Sequence, residues 1–154
     1  MRQPLSRKFN ILWLAIALLA GCAANPSDSR FAQNVKDIHE SLSSVIARNG
    51  FSHEIRSQRD GPREVDSIFI PISLDSLKRR HYSLDNLMNE IGSVCVLPEY
   101  IRLPVLIEIG ADDEEDRMYL KSALMPSISG RANIQVITAP DTDNNIAITV
   151  EHPR

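Results

Sequence analysis

The sequence predicts a small α+β domain behind a processed and lipidated N-terminal segment, and three observations carry that prediction. Leu84, Leu87, Met88 and Ile91 recur at helical spacing, and Val35, Ile38, Leu42, Val45 and Ile46 do so earlier in the chain. Two stretches near the end, Ile134-Val136-Thr138 and Ile146-Ile148-Val150, alternate apolar and polar residues with the period of a strand. A basic head with Arg2, Arg7 and Lys8 precedes an apolar run from Ile11 to Ala20 that ends at Leu18-Leu19-Ala20-Gly21-Cys22.

That apolar run is ten residues long, whereas a membrane-spanning helix needs about 20. It therefore reads as the hydrophobic region of a signal peptide over residues 1–21. Cys22 is expected to become the first residue of the mature chain and the site of lipid attachment. Three of the 17 basic residues and none of the 20 acidic ones precede it, so the mature chain would carry a net charge of −6 instead of −3. Such a balance argues against a direct nucleic-acid binder, which needs a basic footprint. With Cys22 acylated, Cys95 has no partner for an intrachain disulfide.

Residues 22–66 read as a lipid-anchored spacer, an amphipathic helix and a linker. Asn25-Pro26-Ser27-Asp28-Ser29 is turn-forming, and the helix that follows should stop at Asn49-Gly50. Its apolar stripe wants burial, either on its own domain or on a partner. From Phe51 to Asp66 the chain is rich in charges and contains the Gly61-Pro62 pair, which suggests a linker over 52–66.

Residues 67–154 read as the folded domain. The run around Ile68, Ile70 and Ile72 is interrupted by Pro71, which suits an edge strand. Lys78-Arg79-Arg80-His81 should be exposed, and Ser83 is a suitable N-cap for a helix stopped by Gly92. Val94-Cys95-Val96-Leu97 suggests a buried strand in which Cys95 packs as a small hydrophobe. Leu103 to Ile109 is a second strand. The acidic run Asp112-Asp113-Glu114-Glu115-Asp116 is expected to cap a helix containing Leu120 and Leu124, because carboxylates favour a helix N-terminus. Pro126 should end that helix near Met125. The last two strands are expected to form an antiparallel hairpin through Asp141-Thr142-Asp143-Asn144-Asn145.

No reaction chemistry announces itself. His39, His53, His81 and His152 lie in separate segments without ligand spacing, and neither a phosphate-binding glycine loop nor a G-x-S-x-G turn occurs. The expectation is a non-enzymatic interaction protein with no catalytic residue, no cofactor and no metal.

Leu19-Ala20-Gly21-Cys22 resembles the lipobox of bacterial lipoproteins, and Ala23 and Ala24 lack the aspartate that tends to retain such proteins at the inner membrane. Leu103-Pro104-Val105-Leu106-Ile107-Glu108-Ile109, then Asp113-Glu114, a short helix and Gly130-Arg131-Ala132-Asn133-Ile134-Gln135-Val136 resemble the C-terminal half of the DotD/TraH lipoproteins of type IVB secretion and IncI-type conjugation systems. The resemblance implies a secretin N0-like domain, with two helices between a two-stranded and a three-stranded sheet. It implies acyl chains such as palmitate on Cys22, attachment to the periplasmic face of the outer membrane, and a structural role. The implied partners are a second lipoprotein and a channel-forming protein, assembled as a ring in the secretion core complex. A peptidoglycan-binding lipoprotein with a degenerate OmpA-like domain is the alternative, although the aspartate and arginine usual in that ligand site are not found.

Overall fold

The computed structural model describes residues 26–60 and 63–151. Among them are four helices, α1 (Pro26–Arg48), α2 (Leu74–Lys78), α3 (Tyr82–Cys95) and α4 (Glu114–Ile128). Five strands accompany them: β1 (Glu54–Asp60), β2 (Arg63–Pro71), β3 (Val105–Gly110), β4 (Ile134–Ala139) and β5 (Asn145–Val150). The described residues from Gln33 onward form one compact unit. No described helix is long and apolar enough to cross a membrane.

The α+β class is as expected, but the sheet is not divided. One five-stranded mixed sheet runs in the order β1-β2-β5-β3-β4, in place of the expected two-stranded and three-stranded pair. Its helix-facing side is apolar across the strands: Ile68 lies opposite Ile148, Ile148 opposite Ile107, and Ile107 opposite Val136. The next row joins Ile70, Ile146 and Ile109. All six of these isoleucines are fully buried, and Leu84, Leu87, Met88 and Ile91 of α3 with Leu120 and Leu124 of α4 belong to the same core.

Helix α1 ends where the sequence indicates. Gly50, with φ +81°, takes the left-handed conformation that glycine adopts most easily. Its N–H donates to Ala47 O at 3.0 Å while Phe51 N–H donates to Ile46 O at 3.1 Å, the paired bonds of a Schellman stop. The apolar stripe is spent on the protein itself, since Ile38, Leu42 and Ile46 are fully buried. The Arg48 guanidinium and the Asn49 amide both donate to Glu90 of α3, at 2.9 and 2.7 Å. These bonds, the Arg48 one foremost, hold the Glu90 carboxyl below the usual carboxylate range.

Several expectations are corrected. Within residues 52–66, expected as a linker, Glu54–Asp60 form β1 and the residues from Arg63 begin β2, paired antiparallel from Glu54 opposite Phe69 to Asp60 opposite Arg63. Backbone pairing suffices to make this strand, and its side chains carry no hydrophobic period because Glu54 to Arg59 are all exposed. Pro71 belongs to an interior strand, not an edge. It is opposite Asn145 and lies beyond Phe69, the last β2 residue that pairs with β1, so no bond to β1 is lost there.

Val94 and Cys95, expected in a strand, are the last residues of α3, which passes through Gly92 to a C-cap at Val96. That helix begins at Tyr82 with His81, not Ser83, as its N-cap, the imidazole Nδ1 accepting from Ser83 N–H at 3.3 Å. Pro126 lies inside α4, which continues to Ile128. Pro126 lacks the N–H that would bond the carbonyl four residues earlier, while Ser127 Oγ donates to Leu124 O at 2.7 Å in the last turn.

The last two strands do not pair with each other. Strand β4 returns parallel to β3 after the α4 crossover, and β5 then passes β3 to lie antiparallel between β2 and β3. The segment read as a hairpin turn is therefore a connection across the end of β3. Asp141 organises it, its carboxylate accepting from Asp143 N–H at 2.9 Å and from the Asn145 side-chain amide.

Candidate interaction surface

The proposed lipid-attachment residue, Cys22, lies outside the described residues. Cys95 is placed firmly in the core. It is fully buried on α3, and loss of solvation pushes its thiol up to about 12, which leaves it an inert packing group at neutral pH.

The charged residues singled out in the sequence are brought together as ties between helices. Asp113 is the N-cap of α4, accepting from Glu115 N–H at 2.9 Å, and this bond is the main cause of its lowered carboxyl pKa. Asp116 is 4% exposed and receives the Lys78 ammonium at 3.2 Å. The bond to Asp116 is the chief cause that raises the pKa of Lys78.

Arg80 reaches Glu115 at 2.6 Å and lies over the Tyr119 ring, 4.3 Å from its centroid. The Tyr119 hydroxyl donates to Asp85 of α3 at 2.8 Å. Burial, followed by this bond, pushes the phenol up to about 12. The acidic run thus fastens the α2–α3 segment to α4. No three His, Cys, Asp or Glu side chains among the described residues are grouped to share a metal ion. His39 lies on α1 and His81 caps α3, while His53 precedes β1; His152 lies outside the described residues.

Away from the helices the sheet presents a mixed face. Arg56, Ser67, Thr149, Leu106 and Gln135 follow one another across it. A shallow depression of about 220 Å³ opens there between Arg56, Phe69, Glu108 and Asn145. Several of its polar groups already have partners. Arg56 stacks on Phe69 at 3.3 Å from the ring centroid and reaches Glu54 at 3.2 Å, while Ser67 and Thr149 share a 2.6 Å hydroxyl contact.

The edges of the sheet differ. Strand β1 carries Glu54, Arg56, Arg59 and Asp60, charges of the kind that discourage a further strand. Strand β4, Ile134-Gln135-Val136-Ile137-Thr138-Ala139, has neither charge nor proline. Between it and α4 runs an open groove of about 480 Å³ with Met125, Ile128, Ile134 and Val136 along it and Lys121 and Arg131 beside them. The alternation that marks β4 is legible in the sequence, whereas its outer position is a property of strand order.

Comparison with protein-family models, with curated proteins and with solved structures finds no match to this chain.

Proposed function

We propose that the chain is a structural outer-membrane lipoprotein of a type IV secretion core complex, of the IVB or conjugative kind, held at the periplasmic face by acyl chains on Cys22. Its role in this reading is to help localise and assemble a channel-forming outer-membrane partner together with a second lipoprotein. It contacts no nucleic acid and catalyses no reaction. One observation carries the reading: the two stretches that resemble DotD/TraH lipoproteins come together as neighbours, Val105 to Gly110 pairing with Ile134 to Ala139 around α4. The N0-like assignment belongs to this proposal and rests on the order of β2, α3, β3, α4, β4 and β5; the undivided sheet replaces the split one in it.

Cys22→Ser tests the anchor. Expression of the full chain in a Gram-negative host should give membrane-bound, acyl-labelled protein, whereas the variant should lose the label and leave the membrane fraction. Unchanged fractionation with persistent labelling would overturn it. Mild detergent extraction should bring the wild type down with a channel-forming partner, and retention on isolated peptidoglycan without such a partner favours the cell-wall alternative.

A further inference from the structure

We propose that the helix-free face of the sheet is a docking surface for a protein partner that inserts one arginine side chain beside Glu108, into the depression that opens there. This goes beyond the secretion assignment and does not rest on it.

Strand alternation places the group. Ile107 and Ile109 are fully buried beneath the helices, so Leu106, Glu108 and Gly110 of β3 turn to the opposite face. Glu108 lies opposite Ala147 of β5 and Ile137 of β4, with Leu106 and Gly110 as its same-face neighbours along β3. All four neighbours are uncharged. Glu108 is half-buried among them and forms no hydrogen bond or ion pair with any described residue. The other charged groups around the depression are engaged. Arg56 reaches Glu54 and stacks on Phe69, while the Asp141 carboxylate accepts from Asp143 N–H and from the Asn145 amide. The Glu108 carboxylate is the charge left without a counterpart among the described residues there.

Small residues give that carboxylate room for one. Gly110, Ala139 and Ala147 bound the space of about 220 Å³ beside it. Charge then selects the occupant. A purely apolar cover would strand the Glu108 carboxylate away from water, and an acidic one would be repelled by it. A cation in the cover is required. Arginine suits the site better than lysine, because the guanidinium donates two parallel N–H bonds to a carboxylate, is weakly hydrated and lies flat on apolar surface. Half-buried Leu106 and Ile137 supply such surface on either side of Glu108. An arginine seated at the centre of an apolar patch is the usual make-up of a binding hot spot.

The test titrates acetyl-arginine amide into the detergent-solubilised full chain at low ionic strength and follows the backbone amides by two-dimensional NMR. Saturable shifts centred on Glu108, Gly110, Ala139 and Ala147 are expected, with a Kd of about 1–10 mM for so small a probe. Acetyl-citrulline amide, which keeps the shape and lacks the charge, should leave these amides unmoved. Glu108→Gln should weaken the arginine probe about fivefold or more. Ala139→Leu, at an exposed position of the outer strand, fills the depression without altering its charge and should weaken the probe as well, which keeps a readout if Glu108→Gln does not fold. Equal shifts with both probes, binding unchanged in the folded variants, or no saturation up to about 50 mM would overturn the proposal. So would a stronger, Glu108-dependent response of the same amides to magnesium ion, which marks a small-cation site, or a dimer of the full chain that Glu108→Gln dissolves, which makes the occupant a second copy.

Discussion

His39 is the residue at which the fold tolerates an imperfection. Its Nε2 is buried on α1 and has no hydrogen-bond partner among the described residues. Burial lowers the imidazole pKa from 6.5, partly opposed by the charge of Asp66. A histidine with a depressed folded-state pKa binds its proton more weakly than the unfolded chain does. Its contribution is therefore complete above pH 6.5 and is lost as the pH falls below that value toward the folded-state pKa. Urea midpoints measured between pH 7.5 and 5 should decline for the wild type and decline less for His39→Leu; parallel profiles would refute the assignment. The lowered carboxyls of Glu90 and Asp113 act in a separate window, below about pH 4.5, because their unfolded values lie there.

At the scale of elements, the crossing of α3 and α4 depends on an absent side chain. A Cβ on Gly92 would fall 2.8 Å from Ser127 Cβ and 3.0 Å from Ile128 Cγ2. Gly92→Ala would gain about 1 kcal/mol of helix propensity but must force the helices apart, an overpacking cost of about 1–3 kcal/mol. A net loss on the order of 1 kcal/mol is expected, read as a lower melting temperature. Removing the obstruction tests the cause: Ser127→Ala should recover part of that loss in the double variant and little of it elsewhere. The sequence marked Gly92 as a helix stop, and the fold uses it as a contact. Glycine has two physical uses, conformational freedom and small size, and a single sequence does not say which one operates.

For the whole molecule, the question is how much of the chain belongs to the core. The apolar stripe of helix α1 must be covered, and the fold covers it by turning Ile38, Leu42, Val45 and Ile46 inward. Burying such side chains contributes about 1.5–3 kcal/mol each as an upper estimate, and the four together rival the 5–15 kcal/mol total of an ordinary domain. Deleting residues 33–50 should therefore abolish cooperative unfolding of the remainder. Thermal melts by circular dichroism measure this directly. A sharp transition retained in the truncated chain would mean that the part from β1 onward is a self-sufficient domain.

The sequence by itself determined the α+β class, the helical stripes of α1 and α3, the acidic N-terminus of α4 and the alternation of β4 and β5. These are local properties, fixed by which side of one element must leave water and by which residues satisfy its ends. Only the tertiary structure decided that β1 exists, that β5 slips between β2 and β3, and that β4 is left on the outside. Alternation tells a strand which face to bury but carries no record of which neighbour its backbone meets. Strand β1 was the least legible because its side chains remain in water while its backbone finds β2. The setting of Glu108 is hidden for the same reason: which residues flank a carboxylate across a sheet is a property of strand order, and strand order is settled by packing the whole chain around one core.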